Sequence, residues 1–373
     1  MDLLWANRAE SAEAAVTARH LKPLWHLPGT HLGVVAWPPI RRAPHWHYWW
    51  QAHLLDCLVD AQLRDPQPER VTRIKRQIRT HRLRNLLRWT NAYYDDMAWL
   101  ALGIQRACRV TGIDRQRALG TLTRQLTDSW MPQAGGGIPW RKDEQLTHPF
   151  FNAPANGPAG IYLAREPGWL ERAQEMGDWI DETLIDPETH LVFDGIRDGS
   201  LVRAEYTYCQ GVVLGLETEL ASRTGPQDRA RHAARVHRLV AAVHNHMAPG
   251  GVLKGAGGGD GGLFAGITAR YLALVATDLP GNSEADIRAR DTAGKLVLTS
   301  AKSAWAYRQT VDGLPVFGAF WDRPAELPHG DGEVATSIAG AVRESEIPER
   351  DLSVQLSGWM LMEAAYAVAD NRL

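Results

Sequence analysis

The sequence predicts an all-α fold built from repeated helical hairpins. Segments of about 15 to 20 residues carry apolar side chains at helical spacing, and short stretches with Gly, Pro or Asp separate them. No series of strand-like alternations lies between these segments. Hairpins repeated along a chain indicate a solenoid or a closed ring, because each hairpin must bury its apolar face against its neighbours. A long bundle of separate helices is the alternative.

The helical pattern can be followed from one end of the chain to the other. Between 46 and 61, one face carries Trp46, Trp50, Leu54, Cys57, Leu58 and Ala61. Between 96 and 108, it carries Met97, Leu100, Ala101, Ile104 and Cys108. By the same criterion, helices are predicted near 10–22, 69–88, 114–130, 155–165, 168–184, 204–222, 227–247, 262–277, 284–307, 334–344 and 352–369. No low-complexity linker divides the chain, so residues 1–373 are predicted to form a single domain.

Composition limits the classes of function. The chain has 373 residues, is 45% hydrophobic and has a net charge of -2, which argues against nucleic acid or an anionic membrane as the main partner. No run of about 18 apolar residues predicts a transmembrane helix, and the N-terminus lacks the pattern of a secretory signal. A cytoplasmic monomer is expected. Buried free thiols are predicted for Cys57, Cys108 and Cys209, which lie in apolar segments without Cys-x-x-Cys spacing.

The stretch NAYYDDMAWL places Asp95 and Asp96 side by side where a helix is predicted to begin. In a first turn both side chains can face one cavity, and Asn91 or Asp95 is expected as the N-cap. Two like charges in one cavity repel each other, so the pKa of one carboxyl is expected to rise while the pKa of the other stays low. Adjacent Cα atoms are about 3.8 Å apart, which favours the ~5 Å carboxyl spacing of retaining glycosidases over the ~6.5–9.5 Å of inverting ones. The alternative for this pair is a solvated helix cap.

Aromatic residues are unusually frequent around this pair. The chain has fifteen tryptophans. Those beside the aspartates or in long loops are Trp46, Trp49, Trp50, Trp99 and Trp140. Indole faces suit the apolar face of a sugar ring, while neighbouring polar groups bind its hydroxyls. The alternative for each tryptophan is a place in a large core.

Two further patterns favour structural roles, and neither a metal nor a cofactor is expected. G-x-G-x-x-G spacing occurs at Gly257, Gly259 and Gly262. Without a βαβ context this indicates a loop before a helix rather than a dinucleotide site. A histidine group is formed by His45, His47 and His53. It lacks a carboxylate or thiol at ligand spacing, so structural or sugar-contacting roles are favoured. Glu205 is either a third carboxylate of the site or a solvated helix start.

The block YYDDMAWLALG resembles the signature of glycoside hydrolase family 76, which contains endo-acting α-1,6-mannanases and their fungal cell-wall relatives. Four later blocks are similar to the family in the same order: GGGIPWR at 135, FDGI at 193, YTYCQGV at 206 and LFAGITARYL at 263. The resemblance implies an (α/α)6 toroid with the acidic pair in a cleft at one end. It also implies retaining hydrolysis of an α-1,6-linked mannan or mannooligosaccharide, with Asp95 as nucleophile and Asp96 as general acid/base.

Further side chains near the pair or in the matching blocks are expected to bind sugar: Trp50, Tyr94, Trp99, Trp140, Asn152, Asp194, Tyr208 and Gln210. The chain departs from the family at Cys209, Phe151 and Ala265, where polar residues are frequent. These departures are expected to remove polar groups from the cleft. Two alternatives to a hydrolase are a transglycosylase on the same glycan and a non-catalytic mannan-binding protein of the same fold. A sugar epimerase of this fold is less favoured, because such sites depend on histidines.

Overall fold

The computed structural model describes residues 3–39, 46–132, 135–143, 148–330, 332–338 and 341–370, and within these ranges the chain is mostly helical. The twelve α-helices of the described ranges are α1 (Leu3–His20), α2 (Tyr48–Arg64), α3 (Pro68–Arg84), α4 (Tyr94–Thr111), α5 (Gln116–Asp128), α6 (Ala153–Ala164), α7 (Leu170–Thr183), α8 (Thr207–Arg223), α9 (Pro226–Ala242), α10 (Phe264–Asp278), α11 (Glu284–Tyr307) and α12 (Leu352–Asp370). The predicted all-α class is confirmed.

The helices form two concentric rings. The even-numbered helices make the inner ring, in which α2, α4, α6, α8, α10 and α12 each pack against the next and α12 packs back against α2. Each odd-numbered helix packs outside one inner helix, as α3 does on α2, α7 on α6 and α1 on α12. The chain is therefore an (α/α)6 toroid, a closed ring rather than a bundle of separate helices.

The two rings differ in how their side chains are buried. Inner helix α6 is buried at every position, whereas outer helix α5 buries one stripe, made of Ala118, Leu119, Leu122 and Leu126. Glycines allow the inner helices to approach closely. A Cβ at Gly157 would lie 2.5 Å from the Val212 side chain, and a Cβ at Gly215 would lie 2.4 Å from the Tyr271 ring. One hydrophobic cluster runs through both rings, from Trp5 to Val368.

Short antiparallel strands occur in the loops between helices. They are β1 (Leu21–Lys22), β2 (Leu32–Gly33), β3 (Phe150–Asn152), β4 (Gly195–Arg197), β5 (Ser200–Val202), β6 (Gln309–Val311), β7 (Leu314–Val316), β8 (Thr336–Ile338) and β9 (Ala341–Arg343). The strands pair as β1–β2, β3–β4–β5, β6–β7 and β8–β9. The helix predicted near 334–344 is wrong, because this segment is the β8–β9 hairpin. Its β-branched residues favour a strand, and it is short for a stable helix.

The toroid places the N-termini of all inner helices at one end and their C-termini at the other. Because an outer helix returns the chain after each inner helix, all six inner helices run in the same direction. Their N-termini, with the positive ends of the helix dipoles, meet at one end of the ring. At the other end, a second cavity is lined by five arginines and five carboxylates; they are Arg64, Arg106, Arg109, Arg165 and Arg270 with Asp56, Asp60, Asp278, Glu363 and Asp370. The helix dipoles thus favour acidic groups at the first end, whereas the second cavity holds charges of both signs.

A cluster of buried charges ties three inner helices together at the second end. Arg106 of α4 and Arg270 of α10 each form ion pairs with both Asp56 and Asp60 of α2. The four side chains are only 10% to 14% exposed. Burial alone raises the pKa of Asp56, but the two guanidinium groups outweigh it and bring that pKa to about 2. Both arginines are therefore needed to balance the two carboxylates.

Replacing Arg270 with Met is expected to lower the free energy of unfolding by about 3 kcal/mol or more, because it leaves buried carboxylate charge without its partner. The matched control is Arg288→Met, which removes an exposed arginine paired with Glu284 on the surface of α11. The control is expected to cost less than about 1 kcal/mol. Urea unfolding followed by far-UV circular dichroism measures both variants. An equal, small loss in the two would show that the cluster does not hold the inner ring together.

Cys57 and Cys209 are buried free thiols, and Cys108 is a half-buried one. Across the described part of the chain, no helix combines the length and the apolarity required to cross a membrane.

Candidate active site

A cavity of about 610 Å³ lies where the N-termini of the inner helices meet. Its walls come from the segments at the starts of α2, α4, α6, α8 and α10, and from the β8–β9 hairpin. Four carboxylates line it, those of Asp95, Asp96, Asp194 and Asp260. Most of the remaining wall is aromatic and consists of Trp46, Tyr48, Trp49, Tyr93, Trp99, Trp140, Phe150, Tyr206, Tyr208 and Phe264. Such a wall suits a carbohydrate, because aromatic rings can cover the apolar faces of the sugar and carboxylates can accept hydrogen bonds from its hydroxyl groups.

Asp95 and Asp96 lie in the first turn of α4, as predicted, but the cap differs from the expectation. Tyr93 occupies the N-cap position, and no side chain caps the helix there. The oxygen of the Asn91 amide instead accepts the Tyr93 backbone N–H at 3.0 Å, and its NH2 group donates to the Asp96 carboxylate. Neither Asn91 nor Asp95 is therefore the N-cap, and Asn91 orients Asp96.

Asp95 is held on both carboxylate oxygens. Its Oδ1 accepts the backbone N–H of Asp96 at 2.8 Å, and its Oδ2 accepts the indole N–H of Trp140 at 3.0 Å. The backbone carbonyl of Trp140 in turn accepts the Tyr94 N–H at 2.9 Å. The loop that carries Trp140 is thus joined to the start of α4 by both its backbone and its side chain, which fixes the orientation of Asp95.

Burial shifts both aspartates of the pair toward the protonated form. It raises the pKa of Asp95 to about 7, although the Asp96 backbone N–H and the Trp140 indole stabilise the ionised form. It raises the pKa of Asp96 well above its ordinary value, and the neighbouring Asp95 charge adds to this rise. The prediction that one pKa stays low is wrong, because loss of solvation outweighs the hydrogen bonds that stabilise the ionised carboxylates. Asp95 is the more easily ionised of the two.

Asp260 is a carboxylate of the cavity that sequence reasoning missed. Its Oδ1 accepts the indole N–H groups of Trp49 at 2.8 Å and Trp50 at 3.0 Å, and its Oδ2 accepts the Val342 backbone N–H at 2.7 Å. Burial raises its pKa, and its charge contributes to the raised pKa values of Asp95 and Asp96. The available signal was a single aspartate inside the glycine-rich stretch GAGGGDGGLF.

The glycines around Asp260 allow the backbone of its loop to pack closely against the β8–β9 hairpin. The backbone N–H of Gly258 bonds Glu344 and that of Gly259 bonds Asp351, both at 2.7 Å. Gly259 has a φ of 55°, and a Cβ there would lie 2.2 Å from the Val342 carbonyl oxygen. The segment continues through a 3-10 turn into α10, as expected for a loop before a helix.

Replacing Asp260 with Asn is expected to move the acid limb of the pH dependence of kcat/KM to lower pH. The negative charge of Asp260 raises the pKa of Asp95, so its removal lowers that pKa and leaves Asp95 ionised in more acidic solution. Loss of charge-assisted hydrogen bonds to Asp260 is also expected to lower kcat/KM by about tenfold or more at its optimum. A full pH profile of the variant measures both effects. The control Asp291→Asn removes an exposed carboxylate of α11, and an acid limb that stays fixed for Asp260→Asn would refute this role.

Five of the predicted sugar contacts line the cavity: Trp99, Trp140, Asn152, Asp194 and Tyr208. Trp99 is 5% exposed and packs against His53 in a tilted arrangement, with ring centroids 4.5 Å apart. Asn152 caps the start of α6, where its side-chain oxygen accepts the Ala155 N–H at 3.1 Å. These two residues therefore combine a structural role with a small surface toward the cavity.

Three predicted sugar contacts lie outside the cavity wall. Trp50 is fully buried and donates its indole N–H to Asp260. Gln210 is also fully buried, and its amide bonds both the N–H and the carbonyl of Val192. Tyr94 is 5% exposed and absent from the cavity lining, where its neighbour Tyr93 stands instead. Position in a sequence block did not reveal which face of the backbone each side chain occupies.

The histidines support aromatic side chains. His47 packs against Trp50 with ring centroids 4.7 Å apart and a tilt of 56°, and His53 packs between Trp49 and Trp99. Burial lowers the pKa of His53 to about 3, so this imidazole is neutral. His45 lies outside the described residues. Among those that are described, no three side chains form a group suited to hold a metal ion.

The departures from the family pattern lie behind the cavity wall. Cys209, Phe151 and Ala265 are all buried, and none of them lines the cavity. The Cys209 thiol lies 4.0 Å from Oδ1 of Asp194, whose pKa burial raises to about 6. The expectation that these residues remove polar groups from the cleft surface is therefore corrected. Glu205 also lies outside the cavity lining.

Comparison with known proteins agrees with this geometry. The sequence matches the family described as Glycosyl hydrolase family 76 over residues 8–345. Among solved structures it is similar to the GH76A α-1,6-mannanase from Salegentibacter sp. HEL1_6, with 28% identity, a TM-score of 0.80, and coverage of 98% of this chain and 99% of that chain. An inactive variant of that mannanase, with two neighbouring aspartates replaced by asparagine, was solved in complex with α-1,6-mannotriose. This variant is 27% identical, with a TM-score of 0.79 and coverage of 98% of this chain and 99% of that chain.

The Lin0763 protein from Listeria innocua, at 24% identity, shares the fold, with a TM-score of 0.78 and coverage of 98% of this chain and 97% of that chain. No curated protein matches the sequence significantly.

Proposed function

Since the chain belongs to glycosyl hydrolase family 76 and is thereby a glycosidase, we propose that it cleaves α-1,6-mannosidic bonds in a mannan backbone or its oligosaccharides, with retention of configuration. The observation that carries this proposal is the pair Asp95 and Asp96 at the start of α4, inside an aromatic cavity. Support also comes from the similar α-1,6-mannanase, which becomes inactive when two neighbouring aspartates are replaced and is found with α-1,6-mannotriose.

In the first step, Asp95 attacks the anomeric carbon while Asp96 gives its proton to the departing glycosidic oxygen. A bond forms between Oδ of Asp95 and the anomeric carbon, the glycosidic bond breaks, and the shortened glycan leaves as an alcohol. Asp95 suits the nucleophile because two N–H donors hold it and it ionises first. Asp96 suits the acid because burial and the neighbouring Asp95 charge raise its pKa and favour its protonated form.

In the second step, water releases the sugar from Asp95. Asp96, now ionised, takes a proton from the water as its oxygen attacks the anomeric carbon, and the Asp95 carboxylate leaves. Each step inverts the anomeric carbon, so the product keeps the α configuration. The short spacing imposed by adjacent residues, with Cα atoms about 3.8 Å apart, favours this route over one with a water between the carboxyls.

The rest of the cavity suits a chain of sugar rings. The rings of Tyr208 and Phe264 are stacked, with centroids 4.0 Å apart at 14°. Tyr93 packs on Trp140 at 5.2 Å, beside the nucleophile. These aromatic surfaces flank the aspartate pair and give apolar platforms for sugar faces. Asp194 lies on the same wall and offers a carboxylate to sugar hydroxyls.

Incubation with mannooligosaccharides of defined linkage tests the substrate. We expect hydrolysis of α-1,6-linked mannotriose and mannotetraose, and little or none of their α-1,2- and α-1,3-linked counterparts, with products separated by chromatography. Preference for another linkage would overturn the proposal. Products longer than the substrate would instead favour a transglycosylase. Binding by calorimetry without any turnover would favour a glycan-binding protein.

A further inference from the structure

Helix α3 is strongly basic on a protein that is nearly neutral overall. It carries seven lysines and arginines against one glutamate, while the net charge of the chain is -2. Arg70 and Arg73 form ion pairs with carboxylates of the chain. Four other cations of α3 are exposed, and among the described residues no carboxylate lies within 4 Å of them; they are Lys75, Arg76, Arg79 and Arg82. Their charge is left for solvent or for a partner.

These cations line one groove of about 950 Å³ along α3. Arg115 and Arg117, at the start of α5, add two more positive charges to its wall. Of the described residues that line the groove, Asp114 alone bears a carboxylate. A concave surface of one charge sign attracts anions more strongly than the same charges spread over a flat surface.

Exposed apolar side chains lie close to the groove, and one of them, Leu87, forms part of its wall. Leu86 and Leu87, in the turn after α3, are 78% and 60% exposed. Both have left-handed backbone conformations, with φ of 53° and 63°, which leucine seldom adopts. Arg82 donates to the Leu87 carbonyl at 3.1 Å and so holds the turn. Trp25 is 58% exposed as well, and the Arg84 guanidinium lies over its ring at 5.9 Å.

We propose that this surface, called here the α3 face and formed by Lys75, Arg76, Arg79, Leu86 and Leu87, docks on an anionic phospholipid bilayer. The cations would bind lipid phosphates, and the two leucines would enter the interfacial region, as would the exposed Trp25, a residue type enriched at that depth. A soluble polyanion would use the cations, but it gives no reason for a turn that holds two leucines in solvent. The apolar tips therefore favour a lipid surface over nucleic acid or an anionic glycan.

The α3 face adjoins the catalytic cavity. Asn85, which directly precedes Leu86, lines that cavity. A chain docked through Leu86 and Leu87 thus holds the cavity rim near the lipid surface. The inference concerns binding alone and stands whether or not the proposed hydrolysis is correct. The expectation of no membrane partner rested on the net charge of the whole chain, which does not reveal a local cluster of positive charge.

Co-sedimentation of the full chain with lipid vesicles tests the proposal. We expect binding to vesicles of equal parts phosphatidylcholine and phosphatidylglycerol, weakening as salt rises, and little binding to pure phosphatidylcholine. The triple variant Lys75→Gln/Arg76→Gln/Arg79→Gln is expected to bind about a hundredfold more weakly, at about fivefold for each charge. The control Arg229→Gln/Lys295→Gln/Lys302→Gln removes three exposed charges elsewhere and should bind as the parent does.

A second variant, Leu86→Asn/Leu87→Asn, separates lipid insertion from simple attraction of charge. Asparagine adopts left-handed backbone more readily than leucine, so the turn should be preserved, and circular dichroism verifies folding. We expect about tenfold weaker binding to anionic vesicles and unchanged binding to soluble heparin. The docking proposal is overturned by no binding to anionic vesicles, by an equal loss in the control triple variant, or by leucine substitutions without effect. The last result would assign the α3 face to soluble polyanions.

Discussion

Replacing Asp95 with Ala is expected to lower kcat/KM on α-1,6-mannotriose by about 10⁴-fold or more, because the bond to the anomeric carbon then has no protein partner. The structure explains why this residue is the nucleophile. Its oxygens accept the Asp96 backbone N–H and the Trp140 indole N–H, which stabilise the ionised form and aim it at one point of the cavity. Initial rates measured by reducing-sugar release give the loss, and Asp291→Ala on the surface of α11 is the control.

Reaction with azide tests whether Asp95 is the nucleophile, which loss of activity alone does not show. In Asp95→Ala, azide can take the vacant place and displace an activated α-mannosyl leaving group directly. One displacement inverts the anomeric carbon, so the expected product is the β-mannosyl azide, detected by NMR. Recovery of the α-azide from this variant would show that another group still forms the covalent intermediate, and Asp95 would lose the role of nucleophile.

Replacing Asp96 with Ala is expected to lower kcat/KM on the same substrate by about 10²- to 10⁴-fold, because the leaving oxygen is no longer protonated. An aryl α-mannoside with a good leaving group needs little protonation, so formation of the intermediate on Asp95 should be much less affected. Breakdown of that intermediate then limits turnover, and a burst of released phenol is expected. With azide, two displacements occur and the α-mannosyl azide should form.

The two alanine variants serve as controls for each other. Both sites lie in the same turn of α4 and share the same surroundings, so a general disturbance of the cavity would affect them alike. If the two variants form opposite anomers of the mannosyl azide, the difference therefore reflects their separate catalytic roles and not damage to the cavity. Equal losses on poor and good leaving groups for Asp96→Ala would contradict its role as the acid.

Most helices could be predicted from sequence because their burial is periodic. The segment 284–307 was predicted with the bounds that α11 has. The inner helices were harder to interpret, since α6 and α8 are buried on nearly all sides and give little periodic signal. The repeated hairpins indicated a solenoid or a closed ring, and the family resemblance favoured the (α/α)6 toroid. The β8–β9 hairpin was missed because a short apolar segment reads alike as helix or strand.

The candidate site was likewise predicted from the sequence only in part. Asp95 and Asp96 were found because adjacent acidic residues at a helix start form a local pattern. Asp260 was missed, because its place in the site depends on the Trp49 and Trp50 indoles and on the Val342 backbone, which are far away in sequence. The rise of both pKa values was missed for a related reason, since burial depends on how the whole ring closes.

The anomeric form of the first product tests the central claim most directly. Hydrolysis of α-1,6-mannotriose followed by NMR within the first minutes reports the product before mutarotation mixes the anomers. If Asp95 forms a covalent intermediate and Asp96 activates water, the α-anomer forms first and the β-anomer grows only at the rate of mutarotation. Initial release of the β-anomer would mean a single displacement by water, and it would contradict the two-step roles of Asp95 and Asp96.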